Sequence, residues 1–517
     1  MIAVFASIFA ATQLALPRID YTAILPELFL LGGALVLITM SALFTRQPPT
    51  SAYATVSIGA GVGALTTSLV LWHDVTSSGP FTTIARSVDV DGFAVFFLVL
   101  VSSVLIVATI LGQGYLARER IAGCEYYALA LISGSGAMLM ASANDLILIF
   151  LSLEVLSIPL YVMAGFDRRR ASSQEAAIKY FVLGAFSSAI FVYGVALVYG
   201  ATGSTNLPEI GAFLAHNVIT SNGVLLAGIG LLLVGFGFKV AAVPFHMWTP
   251  DVYQGAPTPA TGFMSAVAKA GGFAALLRVF VSTFPTLRSD WQPVVWVLAV
   301  LTLVVGALAA LVQRDVKRIL AYSSINHAGF VLLGLQAATA KGVAAAIYYV
   351  FTYAFVTLGA FAVVELVGGK GDRKHDLEDY RGLARNNPVI ATSFAVLLLA
   401  QAGVPFTTGF FAKLYVVEAA VGAHSYALAV IAMATAAIAA FFYLRVVLVM
   451  FLAEPQVAYA SDGGESATRA SEPSGPIVPV SLVIAVGIFL ALGVTVVFGI
   501  WPAPVVDFAR QATLIVR

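Results

Sequence analysis

Apolar runs long enough to cross about 30 Å of hydrocarbon recur along the whole chain, separated by short polar or basic stretches. They lie at approximately 23-43, 52-72, 92-113, 124-142, 144-164, 174-200, 222-248, 255-283, 293-312, 319-336, 341-367, 389-421, 425-452 and 477-500. Each reads as a helix, because a helix satisfies its own backbone hydrogen bonds where no water can. The pattern predicts an all-α polytopic membrane protein with about 14 transmembrane helices.

Composition agrees and narrows the function classes. Of 517 residues, 60% are apolar and only 10% charged, against roughly 25% charged in a soluble domain; mean hydropathy is +0.95. A net charge of +1 argues against nucleic acid, whose binding needs clustered Lys and Arg on a solvated face. The single cysteine, Cys124, excludes a disulfide framework, an iron-sulfur cluster and a thiolate zinc site within the chain. No GxxxxGK[ST] loop is present, so ATP is not the driving force here; an ion gradient or a partner subunit must supply it.

Basic residues set the topology, since Lys and Arg collect in cytoplasmic loops. Loops after odd-numbered runs hold Arg46, Arg118, Arg120, Arg168, Arg169, Arg170, Arg314, Lys317, Arg318, Lys370, Arg373, Lys374, Arg381, Arg385 and Arg469; the tails and the other loops hold only Arg18, Arg86, Arg288, Lys341, Arg510 and Arg517. For a multi-pass chain, expected in the cell inner (plasma) membrane, this places both termini on the non-cytoplasmic side. The expected organisation is a peripheral N-terminal segment over 1-19, helices 1-3 over 20-113, and one repeat of helices 4-8 over 124-283. A second repeat of helices 9-13 follows over 293-452, then a flexible cytoplasmic linker over 453-476, rich in Ser and Gly, and helix 14 with the C-terminal tail over 477-517. The charged loop Gly368 to Asn387 is expected to carry a short surface helix.

Six basic residues remain within the runs. A charge at mid-bilayer costs about 2.5 to 3.5 kcal/mol even on lenient scales, so each needs a reason. Arg278 and Arg445 lie near helix ends and read as snorkelling or structural. Lys179 lies about two turns into helix 6. Lys239, Lys269 and Lys413 are too far from either end for a lysine stem to escape, and Glu154 is their isolated acidic counterpart. His327, beside Ser323, Ser324 and Asn326, adds a group that can carry a proton at physiological pH. Desolvation disfavours the charged form of a buried Lys or Glu, whereas bringing the two together favours both charges. A lysine whose carboxylate partner can approach or withdraw can therefore hold and release a proton.

Two runs carry a proline break beside these charges: Lys239-Val-Ala-Ala-Val-Pro244-Phe-His246-Met-Trp248 and Gln401-Ala-Gly-Val-Pro405-Phe-Thr-Thr-Gly409-Phe-Phe-Ala-Lys413. Proline frees carbonyls that a cavity or a polar neighbour must satisfy. Paired discontinuous helices at corresponding positions mark an ion site between inverted repeats, so the reading is two inverted five-helix repeats with discontinuous helices 7 and 12.

The strings Leu153-Glu154-Val-Leu-Ser, Lys239 through Pro257-Thr-Pro, Arg314-Asp-Val-Lys-Arg-Ile-Leu-Ala-Tyr322-Ser-Ser-Ile-Asn-His327 and Gly403 through Lys413 resemble the antiporter-like membrane subunits of proton-pumping NADH:quinone oxidoreductase, respiratory complex I. Lysine at 413, and the absence of a long lateral helix after helix 14, are similar to the N type within that family rather than to the M or L types. The resemblance implies that Glu154 and Lys239 form the ion pair of a first half-channel and that Lys269 links the halves. It also implies that His327 and Lys413 continue the path, with Lys179 beside it. It further implies that NADH, FMN, iron-sulfur clusters and quinone are bound by other subunits, so that this chain holds no cofactor and no metal. Its partners would then be the other membrane subunits of complex I and the lipid bilayer. The competing readings are a subunit of a multi-subunit Na+/H+ antiporter or membrane-bound hydrogenase, which co-purifying subunits would reveal, and a non-pumping scaffold, in which Glu154 would matter to assembly rather than turnover.

Overall fold

The computed structural model describes residues 19–44, 48–121, 123–217, 222–454 and 481–513. The chain folds as helices α1 Leu25–Leu43, α2 Thr50–Ser78, α3 Gly92–Glu119, α4 Cys124–Ser142, α5 Leu146–Ala164, α6 Ala171–Thr202, α7 Leu207–His216, α8 Gly223–Val240, α9 Trp248–Gly255 and α10 Thr258–Leu277. These are followed by α11 Arg288–Leu311, α12 Val316–Ala337, α13 Ala340–Gly368, α14 Leu383–Asn386, α15 Pro388–Ala402, α16 Thr408–Gly422, α17 Tyr426–Leu452, α18 Leu482–Ile500 and α19 Ala503–Gln511. Helical structure occupies each of the apolar runs. Among the described residues, 11 helices are long and apolar enough to cross a membrane unaided. The remaining three runs are α4, α12 and the broken pair α15/α16; α4 and α12 are buried along most of their length, so packing rather than lipid sets their composition.

Two features depart from the sequence reading. A small antiparallel hairpin, β1 Phe81–Thr83 with β2 Val88–Val90, pairs Phe81 with Val90; runs of three residues are too short for a periodicity signal. The surface helix expected over 368-387 is instead a single 3-10 turn at Leu377–Tyr380 and the one-turn α14. The N-terminal segment up to residue 18 and the linker from 455 onward lie outside the described residues.

Helix starts follow from side chains that accept orphan amides: Asp91 caps α3, Asp145 caps α5, Asp315 caps α12 and Thr339 caps α13. The fully buried α10 and the nearly buried α13 pack together at the centre. Large apolar side chains face outward from the flanking helices, among them Ile178 and Phe186 on α6 and Val430 and Phe441 on α17, as a lipid-facing surface requires.

Loop contacts sort the connections into two sets, one at each end of the bundle. Arg169 bonds Glu119, Arg170 bonds Asp372, and Gln254 bonds Asp315, which gathers the basic loops after odd-numbered runs. At the other end Asn144 bonds the Arg86 carbonyl, Leu146 pairs with Thr205, and Gln292 bonds the Gln336 carbonyl. The described loops thus group as the basic-residue count predicts.

Candidate functional site

Both proline breaks are real interruptions. Between α8 and α9, Ala241 takes a left-handed conformation and the Val243-Pro244 bond is cis. The polar groups released there find partners: Trp248 Nε1 donates to the Phe238 carbonyl at 3.0 Å, and the Val243 amide donates to Thr302 Oγ1 at 2.9 Å. Between α15 and α16, Gly403 at φ +92 ends the first half-helix. A Cβ on Gly409 would stand 1.8 Å from the Ala400 carbonyl oxygen, so only glycine lets the second half-helix approach that closely.

At each break a lysine ammonium lies at the C-terminal end of a half-helix, where unpaired carbonyls and the helix dipole favour a cation. Lys239 lies in the last turn of α8. Lys413, on α16, reaches back and donates to the Ala402 carbonyl at 2.8 Å, with its Nζ 5.1 Å from the centre of the Phe330 ring. Lys239, Lys269 and Lys413 are 3%, 3% and 7% exposed, as their depth in the runs predicts.

The expected ion pair between Glu154 and Lys239 is replaced by a different contact. Among the described residues no salt bridge joins them; Lys239 Nζ donates to Ser157 Oγ at 2.7 Å, and Ser157 in turn bonds the Leu153 carbonyl. Glu154 stands one turn before Ser157 on α5, with a buried Oε1 that has no hydrogen-bond partner. A serine spaced three residues from the carboxylate occupies the same helix face, and its hydroxyl takes the ammonium.

Lys269, on the central α10, donates to the Ser324 carbonyl of α12 at 2.5 Å and lies 5.3 Å from the centre of the Tyr353 ring of α13. Tyr353 Oη donates to Ser324 Oγ at 2.7 Å. This lysine alone of the three touches two helices of the other half. Beyond it a continuous network runs through side chains: Gln401 Oε1 accepts from Ser323 Oγ at 3.1 Å, Ser323 bonds Tyr443 Oη, Tyr443 Oη lies 3.1 Å from His327 Nε2, and His327 Nδ1 lies 2.7 Å from Tyr349 Oη. His327 is thus held at both ring nitrogens by phenols, each able to give or accept a proton. Sequence reasoning missed Tyr349 and Tyr443, because a tyrosine in an apolar run reads as core.

Lys179 stands apart from this buried row. Its side chain is 41% exposed and pairs with Glu175 at 2.7 Å and Asp251 at 2.8 Å, at the rim of a cavity of about 640 Å³ on the side of the basic loops. Asp251 also bonds Arg318 at 2.9 Å. On α6 the next residue, Tyr180, stacks on Trp248 and faces Lys239, whose Nζ is 6.0 Å from the ring centre.

Further buried charges went unread in the sequence. Lys317, assigned to a loop, is 0% exposed and donates to the Ala256 carbonyl at 2.7 Å. It belongs to a cluster in which Asp372 takes Arg170 at 2.7 Å, Thr258 Oγ1 at 2.7 Å and His375 at 3.0 Å. Burial acts to raise the Asp372 carboxyl, yet Lys317, His375 and Arg170 outweigh it and hold the group well below the usual carboxylate range. Glu365 is 0% exposed with both oxygens free of hydrogen-bond partners and Arg118 at 3.8 Å. Of the two roles expected for Arg278, snorkelling or structural, the second holds: it is buried and spans Asp91 at 2.8 Å, Asp89 at 3.1 Å and the Ala141 carbonyl at 2.9 Å. Arg445 donates to the Leu311 and Gln313 carbonyls, closing the C-terminal end of α11.

Comparison with known proteins gives a consistent picture. Residues 143–439 match the family model described as NADH:quinone oxidoreductase/Mrp antiporter, TM. NADH-quinone oxidoreductase subunit N of Trichlorobacter lovleyi is 40% identical over 500 residues, 96% of this chain and 98% of that one. Its counterpart in Mycobacterium tuberculosis is 39% identical over 544 residues, 97% and 99% of the two chains. Among solved structures, a chain of respiratory complex I from Thermus thermophilus superposes with TM-score 0.76 at 33% identity over 94% of this chain and 99% of that one. A chain of the Mrp complex from Dietzia superposes at TM-score 0.82 over 95% and 96% of the two chains; at 21% identity it shares the fold.

Proposed function

Because the chain belongs to the NADH:quinone oxidoreductase/Mrp antiporter membrane family, and within it to the relatives of NADH-quinone oxidoreductase subunit N, we propose that it is a proton-translocating membrane subunit of complex I. The observation that carries this reading is the buried row itself. Three lysines from α8, α10 and α16 are buried together with His327, half-buried Glu154 adds one buried oxygen beside them, and the part of the row from Gln401 to Tyr349 is joined by side-chain hydrogen bonds. Hydroxyls, imidazole and amine can each take a proton on one side and release one on the other, which apolar packing could not do. Keeping three lysines in such a place is costly unless they work.

In this reading Lys179 and Asp251, at the rim of the cavity beside the basic loops, exchange protons with the cytoplasmic side and pass them toward Lys239 and Glu154. Ser157 holds the Lys239 ammonium until the Glu154 carboxylate approaches; Lys269 carries the charge to Ser324 and Tyr353, and His327 and Lys413 complete the row. Two inverted five-helix repeats, with their breaks at α8/α9 and α15/α16, would supply the two halves of a fourteen-span subunit. Both termini would then lie on the non-cytoplasmic side of the inner membrane. NADH oxidation and quinone reduction take place in other subunits, so this chain moves protons without a redox group of its own. The other membrane subunits of the complex are its partners.

The test is proton pumping by membrane vesicles that contain assembled complexes with Lys239→Ala or Lys413→Ala. Translocation predicts a large fall in protons moved per NADH oxidised; normal stoichiometry in both variants would remove the assignment. Subunits co-purifying in mild detergent separate complex I from an antiporter or hydrogenase assembly.

A further inference from the structure

Two cavities meet across one turn of α13. The inner one, of about 10 Å³ and so with room for a single water, is lined by His327, Tyr349, Thr352, Gln401 and Gly409 and opens onto the hydrogen-bonded part of the row. The outer one, of about 340 Å³, is lined by Tyr348, Tyr415, Lys341, Glu418 and Arg510, and lies at the end of the bundle opposite the basic loops, where α13 begins. Thr352 and Tyr348 are four residues apart on α13 and therefore stack on one face. The first lines the inner cavity and the second the outer.

Their hydroxyls are also buried: Thr352 is 4% and Tyr348 1% exposed. The two interact with each other, and neither makes a hydrogen bond to any other group. A buried pair of hydroxyls whose remaining donor and acceptor positions go unfilled is costly, and packing alone does not call for one between two cavities. Tyr348 meets Tyr415 edge to face with ring centres 5.6 Å apart, so the aromatic pair forms the floor of the outer cavity. Lys341, Glu418 and Arg510 are exposed along its rim.

We propose that Thr352 and Tyr348 form the outlet by which protons leave the buried row for the side of the membrane bearing Lys341 and Arg510, with the Glu418 carboxylate as acceptor at the surface. The proposal rests on the translocation reading above and adds to it a route and a direction. In the transfer, His327 in its imidazolium form gives up one proton and becomes neutral imidazole. Thr352 accepts that proton as it passes its own to Tyr348, Tyr348 does the same, and Glu418 or water in the outer cavity takes the last one. Each hydroxyl ends as it began.

The experiment uses the assembled complex in vesicles of known orientation. Tyr348→Phe and Thr352→Val each remove a hydroxyl while keeping the shape, and both are expected to lower protons pumped per NADH at least twofold with the amount of assembled complex unchanged. Ala344→Cys places a thiol in the outer cavity; a membrane-impermeant thiol reagent added from the non-cytoplasmic side is expected to label it above the parent complex and to lower pumping by a similar factor. Normal pumping in both hydroxyl variants overturns the outlet, as does labelling from the cytoplasmic side only, or labelling that leaves pumping intact. Lys239→Ala and Lys413→Ala, measured in parallel, separate the two ideas: if either lowers pumping by this subunit's share while the outlet variants pump normally, only the outlet fails. If both pump normally, the translocation reading fails and the outlet with it.

Discussion

The Lys239 ammonium is held by Ser157 at 2.7 Å, while the Glu154 carboxylate one turn earlier on the same helix has a buried oxygen that bonds nothing. A hydrogen bond to a charged group is worth about 1.5–3 kcal/mol, so Ser157 holds the proton on Lys239 without neutralising it as a carboxylate would. Ser157→Ala is therefore expected to slow NADH-driven pumping on the order of tenfold, with assembly intact, whereas Ser157→Thr retains most of it. Initial pumping rates in vesicles check this; an unaffected Ser157→Ala variant would mean that the contact has no part in transfer.

Arg278 serves stability rather than transfer. It ties the π-helical end of α10 to Asp89 on the hairpin and to Asp91, which also caps α3. Removing one partner of a buried pair costs about 3–5 kcal/mol, because the other charge is left stranded. Arg278→Ala should sharply reduce the subunit found in membranes, and Arg278→Lys should not restore it, since an ammonium cannot reproduce the forked geometry. Quantifying the subunit in the membrane fraction decides the point.

Asp372 makes a prediction about pH. Its carboxyl lies below the ordinary range because Lys317, His375 and Arg170 together outweigh its burial. A depressed carboxyl contributes stability above its unfolded value of about 4 and loses it as the pH falls through the folded value. Thermal unfolding of the purified complex should therefore show no contribution from Asp372 to any change between pH 6 and 8, and a loss only in acid below about pH 4. Asp372→Asn should lower the unfolding temperature at neutral pH and flatten that acid limb.

Much of this was legible in the sequence, for identifiable reasons. Lys239, Lys269 and Lys413 stood out because each interrupts a long apolar run far from its ends, and the structure buries all three. The breaks at Pro244 and Pro405 were visible because proline removes a donor. Lys317 and Glu365 were not, because near the ends of helices a charge reads as belonging to a loop or reaching the interface. For Arg278 the sequence left snorkelling and a structural role open, because its partners, Asp89 and Asp91, are nearly two hundred residues away in the chain and become neighbours only through the hairpin. Tyr349 and Tyr443 escaped notice since only packing shows that both hydroxyls point at one histidine.

Lys269 tests the central claim most directly, because it is the one lysine of the row that touches the opposite half through both Ser324 and Tyr353. The decisive quantity is protons translocated per NADH oxidised by vesicles carrying Lys269→Ala in a fully assembled complex. If the buried row is the path, the ratio falls by the full share of this subunit and is not lowered further by adding Lys413→Ala. A ratio equal to that of the parent complex would contradict the account.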